Sequence, residues 1–245
     1  MRVSRSRAGL RELGLALGVY LVYVSARWLA AGSYATALHH AREVWSLEHR
    51  LRLTVEPAVQ HAFLHTSLLP LFNRLYLSAQ NLVVPAALLL TYYVDRAVYL
   101  RLRRTLIGAW LIAIPIYAVF PTAPPRLAHL GIADTVSAGT AVHLTSKGTT
   151  LFFNPFAAVP SLHVGFAFAV GIALAAIARR PLLRLIALSW GPMILLTVVV
   201  TGNHFVLDTA AGLAVTGIAF LIARRSVSIP VASLIPAHDE LPARA

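Results

Sequence analysis

Long apolar runs alternate with short polar or basic segments along most of the 245-residue chain. A helix needs about 20 mostly apolar residues to cross the hydrocarbon core of a bilayer. Six runs approach or reach that length and are predicted as membrane spans: residues 13–31, 71–94, 105–120, 161–178, 182–201 and 205–223. The pattern therefore predicts an all-α fold, a polytopic membrane bundle with six transmembrane helices.

The segment of residues 33–70, which follows the first predicted span, is mixed in character. Its apolar residues recur at roughly helical spacing, which predicts one or two amphipathic helices lying on the membrane surface. The segment also contains five histidines: His39, His40, His49, His61 and His65. Because their spacing fits no metal-binding motif, we interpret this part of the chain as a solvated or headgroup-facing surface.

The two ends of the chain complete the predicted organisation. Arginines precede the first apolar run, as in a signal peptide, but the run is long and lacks a clear small-residue cleavage site, which favours a retained span. Residues 1–225 are predicted to form a single membrane-embedded domain with its core at 71–223. The tail, residues 226–245, has prolines and charges without a periodic apolar pattern and is predicted to be a disordered cytoplasmic segment.

Composition supports the membrane class. The chain is 58% hydrophobic, with a mean hydropathy of +0.72 and 12% charged residues, whereas soluble domains have about 25% charged residues. It has no cysteine, which excludes disulfides and cysteine-based metal sites. The net charge of +12 would suggest nucleic acid for a soluble protein. Here the arginines cluster between apolar runs, so the positive-inside rule explains them and no nucleic-acid partner is expected.

The arginine clusters also predict the orientation. The N-terminus, the basic loop of residues 95–104, the segment 179–181 and the flank at 224–225 fall on one side of a six-span bundle. That side should be cytoplasmic, which makes both termini cytoplasmic. His163 and His204 then lie together at the extracytoplasmic face of the cell membrane.

Two polar motifs interrupt the apolar pattern at that face. Pro160 and Ser161 precede the fourth span as at a helix start, which places His163 in the first turn. The N–H groups of a first turn have no partner within the helix and attract anions, phosphate above all. His204 and Asp208 begin the sixth span, and their spacing of four residues would place them on one face of a helix.

These side chains suit phosphoryl transfer from a lipid phosphoester. Asp208 would hold the Nδ1–H of His204, whose free Nε2 would attack phosphorus and form a phosphohistidine. His163 would protonate the leaving oxygen. Each residue alone has a structural explanation: His204 and Asp208 would tie two spans together, and His163 would bond a carbonyl. Their presence at one face, in this order, makes the catalytic interpretation the stronger one.

Candidate phosphate ligands are Ser161, Arg126 and Lys147, the last two from the polar loop after the third span. Arginine and helix N–H groups supply a positive field, so the reaction requires neither a metal nor another cofactor. The expected partners are a lipid phosphate substrate and the bilayer, and a homo-oligomer is left open.

Three stretches resemble the signature motifs of a known family. Residues 160–163 (Pro-Ser-Leu-His) and 202–208 (Gly-Asn-His-Phe-Val-Leu-Asp) resemble the second and third motifs of the type 2 phosphatidic acid phosphatase superfamily. Residues 121–126 (Pro-Thr-Ala-Pro-Pro-Arg) resemble the first motif of its inositol phosphorylceramide synthase branch. The resemblance covers roughly residues 71–223, with the region 56–60 plausibly included.

The resemblance implies a six-helix bundle and metal-independent chemistry through a phosphohistidine. By this likeness the roles would be nucleophile for His204, its partner for Asp208, acid for His163 and phosphate ligand for Arg126. The chain departs from the superfamily pattern twice, because residues 116–120 lack the lysine before the first arginine and residues 197–201 lack an arginine before the third-motif histidine. Both departures favour the synthase-like branch.

The leading hypothesis is a phosphatase acting on a lipid phosphate or diphosphate, favoured slightly because no acceptor pocket can be recognised in the sequence. The alternative is a phosphotransferase that moves a phosphoryl or inositol-phosphoryl headgroup to an alcohol. Two other classes are a non-catalytic channel or transporter and a metal-dependent membrane hydrolase that would use His143, His163, His204 and Asp208.

Overall fold

The computed structural model describes residues 33–140 and 154–225, together with Gly14, Gly18, Val142 and Leu144. Every regular element within these residues is helical, and none is a strand. The first predicted span apart from Gly14 and Gly18, together with His143, Lys147 and the 226–245 tail, lies outside the described residues.

Two helices precede the long apolar ones, as the pattern of residues 33–70 predicts. Helix α1 spans Tyr34–Leu51 and helix α2 spans Glu56–Leu64. Helix α1 begins at Ser33, whose side chain caps the N–H of Thr36 at 3.1 Å. One difference from the predicted surface is that Glu48 and Glu56 are fully buried, although the five histidines include exposed ones such as His61.

Five longer helices form the bundle: α3 (Leu69–Val94), α4 (Arg96–Val119), α6 (Leu162–Ile177), α7 (Pro181–Val200) and α8 (Val206–Arg225). A short helix, α5, spans Thr135–Gly139. Helices α3, α4, α7 and α8 are long and apolar enough to cross a membrane, whereas α6 is apolar but has 16 residues. The chain is therefore a helical membrane protein, and four of the five predicted spans that the structure describes reach full length.

Helix α3 contains a π-turn at Ala79–Val83, which ends two residues before Pro85. Proline has no N–H to donate to the helical ladder, and its ring crowds the carbonyl four residues earlier. A wider turn is one way in which a helix continues past such a position.

The basic segment of residues 95–104 is helical, so its prediction as a loop is wrong. Asp95 Oδ1 accepts the N–H groups of Ala97 and Val98 at 2.8 and 3.0 Å, which starts α4 at Arg96. Arginine has a high helix propensity. The Arg96 guanidinium also lies over the rings of Tyr92 and Tyr99, with 4.4 and 4.6 Å to their centroids.

Helix α6 lies at the centre of the bundle. Its buried residues join two apolar clusters, one shared with α3, α4 and α8 and the other with α3 and α7. Small residues permit the close approach: a Cβ on Gly165 would meet the hydroxyl of Thr216, and a Cβ on Gly212 of α8 would meet the carbonyl oxygen of Ser161. Helix packing in membranes depends on such small residues because lipid gives helices no hydrophobic reason to associate.

Gly212→Ala should therefore destabilise the bundle by about 1–3 kcal/mol, because the added methyl collides with fixed backbone. Gly217→Ala, on the same helix, is the matched control, since a Cβ there has nothing within 4 Å. The control should be neutral or stabilising by up to about 1 kcal/mol through helix propensity. Thermal unfolding of both variants in detergent measures the difference, and equal midpoints would contradict the packing role of Gly212.

Candidate active site

The candidate site lies where the N-terminal ends of α6 and α8 meet. The backbone N–H of Ser161, the residue before α6, donates to the carbonyl oxygen of Asp208 in α8 at 2.9 Å. His163 lies in the first turn of α6, and His204 lies two residues before α8. Their ring centroids are 5.7 Å apart. The two motifs that the sequence singled out are thus brought together.

His204 is held by a backbone carbonyl. Its Nδ1 lies 3.0 Å from the carbonyl oxygen of Ala158 and 3.4 Å from Asp208 Oδ2, and the residue is 5% exposed. Because a carbonyl oxygen only accepts hydrogen bonds, this contact assigns the proton to Nδ1 and leaves a lone pair on Nε2. The sequence predicted the same tautomer with Asp208 as the holder, but Ala158 is the nearer acceptor.

Asp208 has a second function at the start of α8. Its Oδ2 accepts the backbone N–H of Phe205 at 2.9 Å, and its Oδ1 has no hydrogen-bond partner among the described residues. Helix α8 begins at Val206, so His204 lies before the helix and the predicted shared helical face is wrong. The two side chains approach because Asp208 caps the turn that contains His204.

The turn between α7 and α8 depends on Gly202. Its φ is +66°, and a Cβ there would lie 2.7 Å from Ile132 Cγ2 and 3.0 Å from the carbonyl oxygen of Ala133. Only glycine combines this left-handed backbone with this lack of space. The turn places Asn203 and His204 against the loop that follows α4.

Arg126 reaches the same turn from a 3₁₀ turn at Pro125–Leu127. Its backbone N–H donates to the carbonyl oxygen of Gly202 at 2.9 Å, and its Nε donates to Asn203 Oδ1 at 2.8 Å. Its Nη1 donates to Asp134 Oδ2 at 2.9 Å. The side chain is 4% exposed. The arginine is thus fixed against the turn that carries His204, with part of its charge compensated by Asp134.

Two buried amides hold the loop that carries Asp134. Gln60 of α2 accepts the N–H of Ala133 at 2.7 Å and donates to the carbonyl oxygens of Ala133 and Val200 at 3.0 and 3.1 Å. Asn73 of α3 donates to the Thr135 carbonyl at 2.8 Å and accepts its hydroxyl at 2.9 Å. Asp134 therefore lies between two anchored residues.

Tyr76 of α3 stacks on His163, with ring centroids 4.6 Å apart and an interplanar angle of 19°. Sequence reasoning did not identify it, because a tyrosine inside an apolar run carries no signal that separates it from the other tyrosines. It also gave no role to Asp134 and did not use Gln60 or Asn73. Apart from the polarity of Gln60 and Asn73 themselves, the sequence does not indicate the partners of these two amides, which lie 60 or more residues away.

Of the two other predicted phosphate ligands, Ser161 lies within the described residues and Lys147 does not. Ser161 is fully buried, and its hydroxyl has no hydrogen-bond partner among the described residues. Lys147 lies outside the described residues. No group of three or more histidine, aspartate or glutamate side chains that could hold a metal ion occurs in the described part of the chain.

Comparison with known proteins identifies the family of this helical membrane protein. The family model described as the PAP2 superfamily matches residues 42–222. The chain therefore belongs to the PAP2 superfamily, and this membership suggests a phosphatase-type enzyme acting on lipid phosphates. No curated protein matches the chain, and no solved structure does.

The Arg126–Asp134 pair gives a test of the site's electrostatics. Asp134→Asn leaves the buried guanidinium without its counter-charge, and because Asp134 is one-quarter exposed the expected loss of stability is about 1–3 kcal/mol, less than for a fully buried pair. Adding Arg126→Gln should recover part of this loss, since the uncompensated charge is then gone. Thermal unfolding of the two single variants and the double variant measures the coupling, and strictly additive effects would contradict it.

Proposed function

We propose that the protein is an integral-membrane, metal-independent phosphatase that acts on a lipid phosphate or diphosphate through a phosphohistidine intermediate. The observation that supports this most directly is the approach of His163 and His204, 5.7 Å between ring centroids, beside the fixed Arg126. Two imidazoles this close together can act on one phosphoryl group, one as the nucleophile and the other as the acid. The bundle around them provides apolar walls for a lipid chain.

In the first step His204 Nε2 attacks phosphorus, and the P–N bond forms as the P–O bond to the lipid breaks. Protonated His163 gives its proton to the leaving oxygen, and the negative phosphate beside it favours the protonated imidazole. The first-turn N–H groups of α6, the Ser161 hydroxyl and Arg126 stabilise the charge on the phosphoryl oxygens. We also assign phosphate binding to Lys147.

In the second step water attacks the phosphohistidine, His163 accepts the proton from water, and the P–N bond breaks to release inorganic phosphate. Asp208 lies 3.4 Å from His204 Nδ1 and stabilises the positive charge that develops on the imidazole. Tyr76 keeps the His163 ring in orientation by stacking on it.

A phosphotransferase of the inositol phosphorylceramide synthase type is the second candidate, with an alcohol in place of water. The likeness of residues 121–126 to that branch and the absence of the upstream lysine and arginine favour it. Asp134 also compensates part of the charge of Arg126. The site therefore has less positive charge than a site that contains the upstream lysine and both motif arginines.

We further propose six spans, with residues 13–31 as the first, α6 as a short fourth span, and residues 1–225 as one domain. The arginine distribution then places both termini in the cytoplasm and the site at the extracytoplasmic face.

His204→Ala should abolish turnover, a loss of at least about 10⁴-fold, because no nucleophile remains. His61→Ala is the matched control, since His61 is an exposed histidine of α2, and it should keep wild-type activity. Release of radiolabelled phosphate from a panel of lipid phosphates and diphosphates in EDTA measures both. Activity retained by His204→Ala would exclude it as nucleophile.

The same assay with added alcohols, including myo-inositol, distinguishes hydrolysis from transfer. Free phosphate as the only product supports the phosphatase, whereas a new phosphorylated alcohol or lipid supports the transferase. Activity that returns only when a metal is restored would contradict the metal-independent mechanism.

His163→Ala should slow the reaction most for substrates with a poor leaving group. Loss of a general acid costs about 10²–10⁴-fold for an alkoxide leaving group and far less for an acidic phenol, which leaves without protonation. Single-turnover release of the leaving group, which precedes the water step, measures this for a lipid phosphate and for an aryl phosphate of similar chain length. An equal loss on both substrates would contradict the acid function.

A further inference from the structure

Two buried glutamates reach the start of α8 from the helices that precede the bundle. Glu48 of α1 and Glu56 of α2 are each 0% exposed. Glu48 Oε1 accepts the backbone N–H of Leu207 at 2.7 Å, and Glu56 Oε1 accepts that of Val206 at 2.9 Å. These bonds join parts of the chain about 150 residues apart.

The adjacent N–H of Phe205 donates to Asp208, so three consecutive N–H groups at this helix start donate to three different carboxyl groups. The positive end of α8 is therefore occupied by side chains of the protein. The start of α6, where the Ser161 hydroxyl is buried without a described partner, is the helix end that remains for a substrate anion.

Three ionised carboxylates in one buried cluster would repel one another. The helix end compensates only about half a unit charge. The second oxygens of Glu48 and Glu56, both Oε2, are buried without a hydrogen-bond partner among the described residues. A single proton between the two carboxyl groups would satisfy both atoms and remove one charge.

The surroundings of Glu48 favour this proton. Burial raises the pKa of Glu48 from 4.5 to about 8, opposed by the Leu207 N–H and assisted by the neighbouring carboxyl groups of Glu56 and Asp208. Asp208 is thus the titratable group that faces the pair, and His204 lies on the other side of Asp208.

Building on the proposed function, we propose that Glu48 and Glu56 are positioning residues, which share one proton as a carboxyl pair and thereby fix the first turn of α8 and the imidazole of His204. His204 lies two residues before Val206, the residue that Glu56 holds. Trp45, one turn before Glu48 on α1, packs against Phe205 with 6.2 Å between ring centroids. Helix α1 therefore contacts the residues that follow His204 at two points, through Trp45 at Phe205 and through Glu48 at Leu207.

The raised pKa of Glu48 determines how the stability of the fold changes with pH. The folded protein keeps a proton that the unfolded chain loses above pH 4.5, so this proton stabilises the fold fully below that pH. The contribution falls as the pH rises and is lost above about 8. Ionisation of the pair then releases the first turn of α8, and kcat decreases while KM changes little, because the lipid and phosphate contacts remain.

The decisive variant is Glu48→Gln, which keeps an oxygen acceptor for Leu207 and offers an amide donor to Glu56 but does not titrate. Between about pH 7 and pH 9.5 wild-type kcat should fall by roughly tenfold more than that of the variant, because loss of the acid proton of His163 lowers kcat in both alike, and the variant should keep kcat at pH 7 within about threefold. Glu43→Gln is the matched control, because Glu43 is an exposed residue of the same helix, and it should keep the wild-type profile. Glu48→Ala should lower kcat at every pH by about tenfold, because the Leu207 N–H is left without its acceptor.

A second readout does not depend on activity. Hydrogen–deuterium exchange of peptides covering residues 202–210, measured on the full chain in detergent, should accelerate at alkaline pH beyond the intrinsic rate in wild type and Glu43→Gln but not in Glu48→Gln. An alkaline decrease of kcat that is equally large in wild type and Glu48→Gln, or exchange with the same pH response in all three proteins, would overturn the proposal. If wild type turns over no lipid phosphate but the exchange response is present only where Glu48 is intact, the proposed function fails and the carboxyl pair stands.

Discussion

The contact between the starts of α6 and α8 determines the rest of the site. Ser161 donates its backbone N–H to the Asp208 carbonyl, and only the missing side chain of Gly212 allows the two backbones to approach this closely. Each helix places one histidine at the junction, so their separation is set by backbone packing rather than by a bond between the rings. Parallel helix starts also bring two positive dipole ends to one end of the bundle.

Those two helix ends have different surroundings. Buried carboxyl groups of Glu48, Glu56 and Asp208 occupy the start of α8, whereas the start of α6 presents a buried hydroxyl without a described partner. The two helix starts therefore differ in function: the start of α8 is bound by side chains of the protein, and the start of α6 is left to bind an anion. The amphipathic helices therefore belong to the site's support as much as the bundle does.

Apolar periodicity was sufficient to predict the long helices, because lipid requires continuous apolar runs. The same pattern did not predict that residues 95–104 extend a helix. Arginines next to a span are equally compatible with a loop, and the Asp95 cap that starts the helix is visible only in the structure. The order of the spans and the arginine clusters predicted that His163 and His204 lie at one face, but the sequence did not indicate the Ala158 carbonyl that holds His204. Buried glutamates in an amphipathic segment were also missed, because a charged residue reads as exposed until its partners, about 150 positions away, are known.

The π-turn at Ala79–Val83 has a geometric consequence for α3. Asn73 and Thr91 are about five turns apart in a regular helix and would project in the same direction. One additional residue in the widened turn rotates the second half by about 100° relative to the first. The N-terminal half therefore directs Asn73 and Tyr76 to the loop and to His163, while the C-terminal half packs Ala87 into the bundle. The two halves of this one helix thus present different faces to the protein, so that the first half orients side chains to the site while the second half packs in the bundle.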